Sequence, residues 1–308
     1  MGDRPSLAER LRSGPALLLD AAMGSDLDRR GLPTTLPLWS AVGLIDRPDL
    51  VRAIHRDNLG AGADILTTNT FRSTARTLRK AGLDDTAAAG LDRRAVELAA
   101  AAREESGRCD VFVAGSIAPL DECYDPVFDT ADETALAEHG EQARNLAAAG
   151  VDFLMIETMP TVREAVLSTR AALQTGLPVT VGFVCEPAAE LGGAARLLSG
   201  ESLADAVSAL RPYPVTMLFA NCAAPGVISS ALSQLRDLTN LPRGGYANVG
   251  QIDDTVGWNP AGALGGSAYA EAASQWLDLG ARVVGGCCGT HPEHTRALRR
   301  LIDERSAV

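Results

Sequence analysis

One local pattern recurs along this chain and limits the folds open to it. A helix-forming stretch, mostly rich in alanine, ends at a glycine, and an apolar, β-branched run follows within a few residues. It reads Ala61-Gly62-Ala63-Asp64-Ile65-Leu66, Ala149-Gly150-Val151-Asp152-Phe153-Leu154, Thr175-Gly176-Leu177-Pro178-Val179 and Leu279-Gly280-Ala281-Arg282-Val283-Val284. Glycine just past a helix accepts the left-handed conformation without a Cβ penalty and lets the chain turn back into a strand. Apolar runs predict eight strands, near 16–20, 64–69, 111–116, 152–157, 179–184, 215–221, 245–248 and 282–286, the seventh being the weakest. Helical stretches at 84–105, 132–149, 162–174, 201–210, 226–238 and 268–279 lie between them. Near-continuous apolar strands that alternate with helices imply a parallel sheet covered by helices. Eight units in 308 residues predict the α/β class and a single (β/α)8 TIM barrel, with an open doubly wound sheet as the competitor. No Pro/Ser/Gly block or charge run divides the chain, so one domain is expected over 1–308.

The charge count excludes some partners. Twenty-eight Lys and Arg against 39 Asp and Glu give −11, with no basic stripe, so nucleic acid and anionic membrane surfaces are not expected. No apolar run approaches the roughly 20 residues of a membrane span. Small molecules are the expected partners. Six cysteines in a chain this long do not make a disulfide framework, which predicts a reducing, cytoplasmic setting and frees some thiols to act as ligands.

In such a barrel the chemistry sits where strands end. The residues just past the apolar runs are Asp20, Asn69, Ser116, Glu157, Cys185, Cys222, Asn248 and the pair Cys287-Cys288. Cys222 follows the sixth run and the pair follows the eighth. Zinc takes thiolate ligands in tetrahedral geometry, and a catalytic site keeps one of its four positions open, so three cysteines leave one vacancy. Neighbouring residues in a regular strand point to opposite faces, so Cys287 and Cys288 can share an ion only where the backbone leaves the strand. Gly285, Gly286 and Gly289 allow that departure. Free cysteine also packs as a small hydrophobe, and residue type alone leaves both readings open. Thr290 and Glu293 are spaced as a capping box that would start the last helix. Helix-start roles are expected for His291 and His294, a packed or solvated role for His55, and structural roles for Cys109 and Cys123. Cys185, at a strand end, is left open.

At these residues the sequence resembles the homocysteine S-methyltransferase family. The likeness rests on Gly285-Gly286-Cys287-Cys288-Gly289-Thr290, Ala220-Asn221-Cys222, Asp20-Ala21-Ala22-Met23-Gly24, Thr68-Asn69-Thr70-Phe71, Ile156-Glu157-Thr158-Met159-Pro160 and Tyr246-Ala247-Asn248-Val249-Gly250. These motifs stand in the family's order over about residues 15 to 304. The resemblance implies a zinc-dependent barrel enzyme that methylates the thiol of homocysteine to give methionine. It makes Cys222, Cys287 and Cys288 the zinc ligands, and Asn248 the residue that can take the fourth position when no substrate thiol is present. Asp20 and Glu157 become the anchors of the substrate ammonium, with backbone N–H groups from Ala21 through Met23 to Gly24 available to its carboxylate. Asn69 and Trp39 belong to the same expected substrate pocket. Ala21 stands where the family mostly carries glycine.

Donors used in this family carry a positive centre that aromatic faces attract. Trp39, Phe71, Tyr124 and Trp258 are the candidates for such a wall. Thr158 replaces the aromatic of betaine-using relatives, no long extension follows residue 308, and no folate or cobalamin module is present. A small sulfonium, S-methylmethionine or S-adenosylmethionine, is therefore the expected donor. A related thiol or selenol acceptor such as selenocysteine, a zinc hydrolase, and a zinc-binding relative without turnover are the alternatives. An all-cysteine ligand set and the lack of a nearby base argue against the hydrolase. Oligomeric state stays open.

Overall fold

The computed structural model describes residues 4–188, 192–250, 259 and 262–307. The eight expected strands form one parallel sheet. They are β1 (Leu17–Leu18), β2 (Ile65–Thr67), β3 (Phe112–Ile117), β4 (Phe153–Met159), β5 (Val179–Ala188), and, past a short β6 (Ala194–Leu197), β7 (Met217–Asn221), β8 (Arg243–Ala247) and β9 (Ala281–Gly286). β6 has no counterpart in the sequence reading. It folds back antiparallel on the end of β5, with Cys185 opposite Leu197. The order β1-β9-β8-β7-β5-β4-β3-β2 brings the first two strands to opposite ends of the ladder.

A narrow seam closes that ladder into a barrel. β1 pairs with β9 through Leu17 and Leu18, but it meets β2 only at the bridge between Leu19 and Ile65. Asp64 N donates to Leu18 O at 2.7 Å and Asp20 N to Ile65 O at 3.0 Å. One residue further on, the Asp20 carboxylate takes over, since its Oδ2 accepts from Thr67 N at 3.0 Å.

Helices cover the outside. α1 (Leu7–Arg12) precedes β1, and α2 (Met23–Arg29), α3 (Val42–Asp46) and α4 (Pro48–Gly60) follow it. Then come α5 (Ala75–Lys80), α6 (Ala88–Glu105), α7 (Asp132–Ala149), α8 (Val162–Leu173), α9 (Leu203–Leu210), α10 (Pro225–Leu238), α11 (Gly266–Asp278) and α12 (Pro292–Ser306). The repeated helix exits behave as their sequence implies, with φ at Gly62, Gly150, Gly176 and Gly280 between 76° and 103°. The barrel interior is filled by Leu17, Leu19, Ile65, Phe112, Phe153, Met155, Phe219, Tyr246 and Val283, and α1 adds Leu7 and Leu11 to the same cluster. A second, larger apolar layer lies between strands and helices.

One local expectation is corrected. Thr290 does not cap α12. The N-cap is His291, whose capping box is completed by His294, and His291 N donates to His294 Nδ1 at 3.3 Å. The Thr290 hydroxyl instead donates to Cys287 O at 2.7 Å and accepts from Ala22 N at 3.2 Å. It is spent on holding the cysteine turn against the start of α2, one residue too early to serve the helix.

Candidate active site

The strand ends open into one cleft of about 330 Å³. Asp20, Ala21, Met23, Trp39, Asn69, Glu157, Cys222, Cys287 and Cys288 all line it. Of the other aromatic candidates, Phe71 and Tyr124 also line it, while Trp258 lies outside the described residues. Asn248 is buried behind this wall, with both ends of its amide engaged: Oδ1 accepts from Cys288 N at 3.1 Å and Nδ2 donates to the Tyr124 hydroxyl at 3.3 Å.

The three thiols meet at the cleft. Cys222 Sγ lies 3.1 Å from Cys287 Sγ and 4.0 Å from Cys288 Sγ, and all three sulfurs fall within 4.8 Å of one another. Ligands of a tetrahedral ion with ~2.3 Å metal–sulfur bonds stand ~3.8 Å apart, so the set fits a soft divalent metal with one position to spare. Two backbone departures produce the convergence. Cys222 leaves β7 with φ 58°, a conformation costly for a residue with a Cβ. Cys287 and Cys288 follow the glycine pair that ends β9, and Gly289 turns the chain away at φ 83°. Packed this closely the thiols cannot all ionise. Hydrogen bonds from Cys222 and Cys287 stabilise the Cys288 thiolate and hold its pKa well below the ordinary value, whereas Cys287 is raised first by its bond to Cys222.

Two buried carboxylates flank the thiols. Asp20 accepts from Thr67, at 2.8 Å from the hydroxyl and 3.0 Å from the backbone N–H. Glu157 accepts from the Ser116 hydroxyl at 2.5 Å and the Tyr246 hydroxyl at 2.7 Å. Among the described residues neither carboxylate has an Arg or Lys partner. Burial raises both pKa values to about 7, against the opposing pull of those hydrogen bonds. A cationic ligand would supply the missing charge. Asn69 donates to Ser40 O at 2.8 Å, and its buried Oδ1 has no partner among the described residues, leaving one more acceptor at this wall. Thr67 is an ordinary strand residue in the sequence, Ser116 is marked there only as a strand end and Tyr246 only by its motif, and the register of β2, β3 and β8 reveals what they hold.

Elsewhere the site is less open than its motifs imply. Ala21 N donates to Asn58 Oδ1 at 3.1 Å and Ala22 N to Thr290, so two of the N–H groups expected for a substrate carboxylate are taken. α2 begins at Met23 with no side-chain cap. Arg72 stands over the Phe71 ring at 5.5 Å, so one aromatic face already has a cation. His55 is fully buried behind Asp20, with its Nδ1 3.8 Å from Oδ2, and neither ring nitrogen is hydrogen-bonded among the described residues. Burial lowers its pKa to about 4 and keeps it neutral. Cys123 and Cys185 are buried thiols whose pKa burial raises, Cys185 to about 12, whereas Cys109 is exposed.

Known proteins share this architecture and sequence. The chain is 33% identical to the homocysteine S-methyltransferase of Escherichia coli (strain K12) over 299 residues, covering 92% of this chain and 94% of that protein. It is 26% identical over 322 residues to the selenocysteine methyltransferase of Astragalus bisulcatus, covering 94% of each. The metallated form of the homocysteine methyltransferase MmuM from Escherichia coli superimposes with a TM-score of 0.78 at 31% identity, covering 94% of this chain and 97% of that one. The profile of the homocysteine S-methyltransferase family matches residues 17–302, and with eight parallel strands closed around this cleft the chain belongs to that family.

Proposed function

We propose that this chain is a zinc-dependent S-methyltransferase that moves a methyl group from a small sulfonium donor, S-methylmethionine or S-adenosylmethionine, to the thiol of L-homocysteine, giving methionine. The convergence of Cys222, Cys287 and Cys288 at the floor of a cleft carries the reading. A zinc ion held by these sulfurs supplies the Lewis acidity that lets an acceptor thiol lose its proton near neutral pH.

The chain's own groups do the rest. Asp20 and Glu157 hold the acceptor ammonium, and its charge draws both carboxylates back into their ionised form. Asn69 Oδ1 is a further acceptor for the same head group. Trp39, Phe71 and Tyr124 flank the donor's sulfonium and keep water from the line of attack. The acceptor sulfur's lone pair forms the new carbon–sulfur bond while the donor's bond to the same methyl breaks. The electron pair of that broken bond neutralises the sulfonium, and the acceptor's proton has already passed to solvent. We place the work in one domain spanning 1–308 and in the cytoplasm; no described helix is long and apolar enough to cross a membrane.

The test is a donor panel. Purified protein is given L-homocysteine with S-methylmethionine, S-adenosylmethionine or betaine, and methionine is quantified beside zinc content. Methionine from a sulfonium donor, abolished in Cys287→Ala, supports the reading. Bound zinc without turnover on any donor overturns it. The likeness to a selenocysteine methyltransferase makes a selenol the second acceptor to assay.

A further inference from the structure

Tyr124 touches the thiol cluster with more than its ring. It lies on the segment between β3 and α7, where the sequence predicts only an aromatic face. Its hydroxyl lies 3.0 Å from Cys222 Sγ and 3.2 Å from Cys222 O, and it receives the Asn248 amide at 3.3 Å. The far end of the same Asn248 amide accepts from Cys288 N. One hydroxyl thus ties Cys222, on the exit of β7, to Cys288, on the exit of β9.

The segment that carries Tyr124 is itself pinned. Arg72 donates to Asp121 O at 2.8 Å and pairs with Glu122 at 2.9 Å, and Glu122 Oε1 accepts from Cys123 N at 3.0 Å. Arg76 meets the Asp121 carboxylate at 3.0 Å. A hydroxyl has one proton to donate and two lone pairs. With Asn248 supplying one hydrogen bond, the Tyr124 proton is left to share between the sulfur and the carbonyl of Cys222.

The geometry points to Tyr124 as a positioning residue for the metal centre. Its hydroxyl holds Cys222 in the left-handed conformation that brings the sulfur to Cys287 and Cys288. Groups that orient metal ligands in this way typically alter metal affinity 10- to 100-fold when removed. The inference rests on the zinc reading above and adds a residue to it.

The experiment measures zinc affinity by competition with a chromophoric chelator in wild type, Tyr124→Phe and Tyr124→Leu, each first shown to melt cooperatively. Cobalt(II) is then substituted, and its thiolate charge-transfer bands are recorded. About a tenfold or greater loss of zinc affinity in Tyr124→Phe, with shifted cobalt bands, supports the brace. Affinity and bands unchanged in Tyr124→Phe overturn it, and so does a loss confined to Tyr124→Leu, which would assign the effect to the ring. A wild type that binds no zinc overturns the metal centre and the brace with it, so the two failures are told apart.

Discussion

Gly24 and Trp39 are interlocked. A Cβ at residue 24 would lie 2.3 Å from Trp39 Nε1, which no real pair of atoms tolerates. Trp39 itself stands at φ 46°, in the left-handed region. Gly24→Ala is expected to push the indole out of the cleft wall while the barrel stays folded. The check is steady-state kinetics, with kcat/KM for the sulfonium donor falling about tenfold or more. An unchanged value would remove Trp39 from the donor wall.

Glu157 is buried, is bonded to two hydroxyls, and has no Arg or Lys partner among the described residues. Glu157→Gln keeps the shape and deletes the charge. A charge-assisted hydrogen bond contributes about 1.5–3 kcal/mol, so KM for homocysteine should rise roughly 10- to 100-fold. Tyr246→Phe, which leaves the charge and removes one donor, should act in the same direction with a smaller effect. Equal KM values in both variants and wild type would move the ammonium elsewhere.

Stability depends on pH through buried groups of opposite shift. Asp20 and Glu157 rise from ordinary values of 3.8 and 4.5 to about 7, so the folded chain holds protons that the unfolded chain releases. Their stabilisation is complete below about pH 4 and is lost as pH rises through 7. His55 falls from 6.5 to about 4, so its contribution is complete above pH 6.5 and is lost as pH falls toward 4. Urea melts of metal-free protein from pH 5 to 8 should show an alkaline decline that the double variant Asp20→Asn, Glu157→Gln reduces, while Asp92, which burial raises to about 6, keeps a share of it. An undiminished decline in that variant would place the titrating groups elsewhere.

Removing the metal should register as lost stability as well as lost turnover. A ligand bound only to the folded state raises the melting temperature by mass action. Zinc added to chelated wild type is expected to raise it, and Cys288→Ala should abolish the response. A shift of full size in that variant would mean that the ion binds at another place.

Tyr269 joins two strand exits from the helix side. Its hydroxyl accepts from Ala247 N at 2.9 Å and lies 2.7 Å from Gly285 O and 3.0 Å from Ala247 O. Tyr269→Phe removes hydrogen bonds to buried backbone groups of β8 and β9, of which Ala247 O keeps its bond from Cys287 N, at a cost of about 0.5–1.5 kcal/mol in chemical denaturation. Because these strands end at Asn248 and Cys287, zinc affinity should weaken as well.

Much of the barrel is legible because each strand is a compact apolar run with a glycine marking the helix before it, as at Gly150 and Phe153. β1 is the exception: the run 16–20 yields only Leu17 and Leu18 as paired strand. Leu19 crosses the seam to Ile65 in a single bridge, and hydropathy does not register so short a pairing. β6 is missed because Ala194–Leu197 gains its extended form by pairing with the end of β5. Among site residues, the cysteines and acids stand out by type and position. Ser116 stands out only as a strand end and Tyr246 only by its motif, since their role toward Glu157 arises when three distant strands fall into register. Thr290 misleads because threonine caps helices and braces turns with the same hydroxyl.

The seam carries one more consequence. Where β1 and β2 run out of shared backbone, the Asp20 carboxylate holds Thr67 in the place a further rung would occupy. A guest that draws on that carboxylate therefore draws on the hoop that keeps the cylinder shut. On the proposed reading, loading a cation and bracing that joint would be coupled, and replacing Asp20 would loosen the seam along with the grip.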